Sequence, residues 1–187
     1  MLARGAPPGR ARRAAGVVAT VLVALAAAVG LLALLASRDD PDLTPGGLAG
    51  PGQALPDRGT RHLRPGQRSP RQPGSGPPTS GPHAPATVRR TGAPLSDDQL
   101  LHAVERGNVV ILHGPGQDQD ALLRLAEQTA GRFGPALAAS GQAVIVAPRS
   151  DVRGLVAVSW GHRQPAAAAT DPALRRFVEF HLGRARR

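Results

Sequence analysis

The sequence has no cysteine, no lysine and no tyrosine, and only one tryptophan and three phenylalanines among its 187 residues. The missing cysteine excludes disulfides, thiolate metal sites and thiol redox chemistry. The shortage of aromatics removes the platforms on which single-stranded nucleic acid stacks. With no lysine, every basic residue other than histidine is Arg. Beside 23 Gly and 19 Pro this is a compositional habit and points to no site.

The formal charge of +10 suggests nucleic-acid binding until it is divided along the chain. Residues 1–37 contribute +4, residues 38–93 another +4, and residues 94–187 only +2. The part able to fold is nearly neutral, so the basic face that a nucleic-acid platform needs is missing. No nucleic-acid partner is expected.

Ala14 to Ala36 is a run of 23 residues without a charge, built from nine Ala, eleven Val or Leu, and Gly16, Thr20 and Gly30. As a helix it would span about 34 Å, enough for a hydrocarbon core of about 30 Å. It has no polar face, which argues against a buried core helix. It is too long for the apolar region of a cleaved signal peptide, and Leu34-Leu35-Ala36-Ser37 is a poor cleavage site. Arg4, Arg10, Arg12 and Arg13 precede the run and only Arg38 closely follows it. The positive-inside rule therefore predicts a single-pass anchor with a cytoplasmic N-terminus and everything after Ser37 outside.

Between Ser37 and Gly92, 11 of 56 residues are Pro and 10 are Gly. Such a segment buries too little apolar surface to offset its ordering entropy. The expected organisation is a basic cytoplasmic tail (1–13), a transmembrane helix (14–36), a disordered Pro/Gly-rich linker (37–76), an extracytoplasmic domain (77–183) and a basic tail (184–187).

Within the domain, Ser96-Asp97-Asp98-Gln99 is a capping box ahead of an apolar stripe of Leu100, Leu101 and Val104, with Gly107 as a stop. Val109–His113 reads as a strand. Asp118 caps a second helix with Leu122, Leu125 and Ala126 inward, ending near Gly131. Ala143–Ala147 and Leu155–Trp160 read as two further strands. Asp171-Pro172 starts a last helix whose Leu174, Phe177, Val178, His181 and Leu182 form one stripe. The expected fold is α+β in the order αβαββα, a small mixed sheet of about three strands packed by about three helices. The strand–helix–strand unit predicts a parallel pair. The short link to the third strand predicts an antiparallel hairpin.

Two segments carry a resemblance. One is Pro77-Pro78-Thr79-Ser80-Gly81-Pro82-His83. The other is Leu101-His102-Ala103-Val104-Glu105-Arg106-Gly107, followed by Val109-Val110-Ile111. With the anchor, Ala147-Pro148 and Trp160-Gly161, the chain resembles, over about residues 77–182, a bacterial membrane-anchored family catalogued as domain of unknown function 3105. The resemblance implies an anchor or signal, a tether and one such domain, and implies no activity. This copy departs from the family pattern. Ala84 stands where an aromatic usually follows the histidine, Ala103 replaces Asn, and Arg106 replaces a second His.

On a helical wheel at about 100° per residue, the apolar centre of the first helix lies near 50°, with Leu100 at zero. His102 falls near 200° and Glu105 near 140°, so His102 points away from the core. It is either a surface histidine or one covered by another part of the chain. The segment around His83 enters just ahead of this helix. His83, His102 and Glu105 would then form a metal cluster of N,N,O donors suited to Zn or Cu. Arg106, beside His102, disfavours a cation and favours an anion. A cluster with a purely structural role at the domain's entrance also fits.

No catalytic residues stand out. Gly114-Pro115-Gly116 lacks the spacing and Lys of a phosphate loop. Ser159-Trp160-Gly161-His162 has no nucleophile elbow. His181 reads as a half-buried member of an apolar stripe and Trp160 as a packing anchor. The expected function is a non-enzymatic binding module of the cell envelope, engaging an envelope protein or cell-surface partner. The alternatives are a metal-binding domain using His83, His102 and Glu105, and an envelope hydrolase.

Overall fold

The computed structural model describes residues 50–64, 66–67 and 76–185. The expected anchor, the basic segment before it, residues 37–49, 65 and 68–75 of the expected linker, and the last two residues of the tail lie outside these. Among the described residues, no helix is long and apolar enough to cross a membrane.

The described residues form five strands and four helices. In chain order these are β1 (Gln53–Ala54), α1 (Asp97–Glu105), β2 (Val109–His113), α2 (Gln119–Ala130), α3 (Pro135–Ala139), β3 (Val144–Pro148), β4 (Leu155–Ser159), β5 (His162–Ala166) and α4 (Pro172–His181). The capping chemistry sets three helix starts. Ser96 Oγ accepts from the Gln99 N–H while Gln99 Oε1 accepts from the Ser96 N–H. Asp118 caps α2 through the Ala121 N–H, and Asp171 caps α4 through the Ala173 N–H. Each satisfies a backbone donor left without an intrahelical partner.

The sheet runs β1-β5-β4-β2-β3. Only β2 and β3 are parallel; the other pairs are antiparallel. Every residue of β2 is buried. Its alternation sends Val110 and Leu112 to one face and Val109 and Ile111 to the other. On the first face they meet Leu100, Ala103 and Val104 of α1 and Ala138 of α3. On the second they meet Leu122 and Leu125 of α2 and Leu174, Phe177 and Val178 of α4. Helices thus cover both faces of the sheet.

Three expectations are corrected. The mixed α+β class holds, but the sheet has five strands and not three, and α3 is a fourth helix. The third sequence strand is antiparallel to β2 and not to its chain neighbour β3. The hairpin forms one step later, between β4 and β5, turning at Trp160-Gly161. β5 (His-Arg-Gln-Pro-Ala) has no apolar alternation, so periodicity does not mark it. Its backbone pairs with β4, which is apolar enough to hold the register.

Order also begins earlier than Pro/Gly content implies. β1 pairs with the first residues of β5, and Leu63 is buried, so residues 50–64 of the expected linker lie against the domain. Main-chain pairing holds this segment: the Leu55 N–H donates to the Gly161 carbonyl and the Leu63 N–H to the His83 carbonyl. Composition reports side-chain burial and is blind to such backbone bonds. At the other end, the Arg184 guanidinium lies 3.9 Å over the Phe180 ring, so the basic tail starts ordered.

Candidate metal centre

The site is built on the outer face of α1. Burial of Leu100, Leu101, Ala103 and Val104 fixes the rotation of the helix about its axis. His102 and Glu105, three residues apart, then project together on the side away from the sheet.

The Pro77–His83 motif packs over that face and is almost entirely buried. The Thr79 carbonyl accepts from the Gly161 N–H at the β4–β5 turn, and Ser80 Oγ donates to the Pro56 carbonyl. The Ala84 N–H donates to Asp98 Oδ1 at the start of α1, at 2.8 Å. Gly81 sits at φ 129, a conformation that disfavours any side chain, and its carbonyl meets His83 Nδ1 at 2.9 Å. His83 then pairs as a single parallel bridge with His62 of the ordered linker segment.

Three imidazoles converge on one carboxylate oxygen. Glu105 Oε2 lies 2.9 Å from His62 Nε2, 3.2 Å from His83 Nε2 and 3.8 Å from His102 Nδ1. The four donor atoms all lie within 4.8 Å of one another. The cluster grades from interior to solvent: the His83 side chain is fully buried, His102 is 12% exposed, Glu105 17% and His62 47%.

Hydrogen bonding fixes the role of His83. The Gly81 carbonyl can only accept, so Nδ1 carries a proton, and a neutral ring then has its lone pair on Nε2. That nitrogen is buried and makes no hydrogen bond among the described residues, although Glu105 Oε2 stands 3.2 Å away. His102 Nδ1 is likewise buried without a hydrogen-bond partner among them. Burial holds the His102 imidazole below its ordinary pKa, helped by His83, Arg106 and His62 and opposed by Glu105. The shift favours the neutral imidazole, whose lone pair lies on whichever ring nitrogen carries no proton. Two buried lone pairs facing a carboxylate are mutually repulsive unless a cation or a proton lies among them.

The structure brings together all three donors expected from the sequence. His102 points away from the core and is covered by the His83 segment. Arg106 is turned aside, its Nε and Nη2 donating to the Ala139 carbonyl. Sequence reasoning missed His62, which lies in the segment assigned to the linker. The available signal was Leu63, a lone apolar residue beside it in a polar stretch.

The arrangement defines a small α+β domain with a three-histidine, one-carboxylate donor cluster on its first helix. A family model described as protein of unknown function (DUF3105) matches residues 72–187, and the chain belongs to that family. His62 lies ahead of the matched region, while His83, His102 and Glu105 lie within it. No curated protein and no solved structure matches the chain.

Proposed function

We propose that this is a metal-binding domain of the cell envelope, in which His62, His83, His102 and Glu105 hold one divalent cation. The observation that carries the reading is His83: a fully buried imidazole whose Nδ1 is tied to the Gly81 carbonyl, leaving Nε2 as an unshared donor aimed at Glu105. A backbone carbonyl on the far nitrogen is the usual means of orienting a metal-bound histidine. Tetrahedral Zn²⁺ with bonds of about 2.0 Å holds its donors about 3.3 Å apart. The three distances to Glu105 Oε2 bracket that value. Nitrogen and carboxylate donors without thiolate suit Zn²⁺ or Cu²⁺.

The apolar run 14–36 with its arginine-rich N-terminal flank supports placing this domain outside the membrane on a single-pass anchor. A non-enzymatic role fits four protein donors around one ion, since a catalytic zinc keeps a position open for water or substrate.

The test is native mass spectrometry of the full chain, reconstituted in lipid nanodiscs, stripped with chelator and titrated with Zn²⁺ or Cu²⁺. One equivalent bound by the wild type and none by His83→Ala at the same metal concentration is expected. Absence of a stoichiometric adduct with either ion overturns the reading. Protease accessibility of the C-terminal region in sealed right-side-out vesicles tests the topology.

A further inference from the structure

Behind His102 lies a cavity of about 560 Å³, between the segment 86–89, α1 and α3. Its floor is apolar: Val88, Ala103, Ala138 and Ile145. Asn108 also lines it but presents no free polarity. Its amide donates to the Ala103 and Ala138 carbonyls and its Oδ1 accepts from the Ala143 N–H. This buried bracket fixes the floor by tying α1, α3 and the start of β3 together. The volume falls within the range of small-molecule sites, roughly 300–1,000 Å³.

The rim is cationic. Arg89 and Arg106 both line the cavity and no carboxylate does. Arg106 is held across the gap between α1 and α3 by the bonds from Nε and Nη2 to the Ala139 carbonyl, which order its guanidinium. A fixed guanidinium and a second arginine at the lip of an apolar hollow are complementary to a carboxylate on an apolar body. His102 forms part of the same wall.

We infer that this cavity binds a small organic carboxylate, its anionic head between Arg89 and Arg106 and its apolar body over Val88, Ala138 and Ile145. The inference stands apart from the metal reading, because the two arginines and the apolar floor take no part in the donor cluster.

The probe is 4-fluorobenzoate, followed by ¹⁹F NMR against the metal-stripped full chain in zwitterionic nanodiscs, so that metal uptake has no bearing on the result. Saturable binding with a Kd of about 1 mM or tighter is expected. The neutral isostere 4-fluorobenzamide should bind at least about tenfold more weakly, as should benzoate to Arg106→Gln, since each loses a charge-assisted bond. Arg89→Gln, at an exposed position, should weaken benzoate by a smaller factor. Unchanged circular dichroism shows that the variants remain folded. A linear, non-saturating shift, equal affinity for acid and amide, or wild-type affinity in both arginine variants each overturns the proposal.

Discussion

His83 Nε2 and Glu105 Oε2 face each other at 3.2 Å, with the histidine fully buried and its Nδ1 committed to the Gly81 carbonyl. Two groups that can both offer lone pairs are folded into contact, an arrangement that a bound cation would relieve. Removing the interior donor should therefore cost more than removing the peripheral one. His83→Ala is expected to lower Zn²⁺ affinity by more than the roughly 10–100-fold that follows loss of an orienting partner. His62→Ala, at a 47% exposed side chain, should cost less. Competition titration with a chromophoric chelator measures both. Equal losses would contradict this ranking.

Metal binding should be visible as stability. A ligand that binds only the folded state, at about 100 times its Kd, adds about 2.7 kcal/mol. For a domain of this size that raises the unfolding midpoint by several degrees, about 5 °C or more. Differential scanning calorimetry with and without Zn²⁺ reads the shift directly, and Glu105→Gln should reduce it.

The helix that carries two of the donors depends on its buried face. Leu100 is fully buried against the sheet and sets the rotation of α1. Leu100→Ala is expected to destabilise the domain by about 2–5 kcal/mol, and Zn²⁺ affinity should fall with it because His102 and Glu105 lose their common bearing. Ser96→Ala, which removes only the cap, should cost about 1 kcal/mol. Urea titration gives both values.

A separate pH dependence lies on the other side of the sheet. Burial lowers the His181 pKa to about 4, with His162 and Arg184 adding to the effect and the Pro51 carbonyl, which accepts from Nε2, opposing it. The folded state thus resists a proton that the unfolded state takes up near pH 6.5. Stability is complete above pH 6.5 and falls as pH drops toward 4, by up to about 3 kcal/mol. Below pH 4 both states are protonated and this loss stops growing. Urea midpoints from pH 7 to 4 should show the slope, and His181→Phe should flatten it.

How much of this was legible in the sequence depended on what kind of force placed each element. Val109–His113 is legible to the residue because four apolar side chains in a row must be buried on both faces, with His113 closing the strand. α4 was read from the stripe of Leu174, Phe177, Val178 and His181. His102 and Glu105 followed from helix geometry once the apolar face was known. His62 and β1 were hidden because backbone bonds to His83 and β5 hold them, and no side-chain pattern announces such bonds. Pro165 lies inside β5, although proline cannot donate to a ladder. It is tolerated beyond the two residues that β1 pairs, where the strand has an open edge.

His102 belongs to two surroundings at once: its Nδ1 faces the Glu105 carboxylate, and its ring forms part of the wall of the cavity behind it. An imidazole that gives one nitrogen to a metal confines its proton to the other. The second nitrogen then becomes a permanent donor, polarised by the ion. Occupancy on one side of this ring alters what the other side presents. By thermodynamic reciprocity, the factor by which an anion changes metal affinity equals the factor by which metal changes anion affinity. A metal held at the cluster and a carboxylate held in the cavity would be read against each other through His102, the side chain that the two proposed sites share.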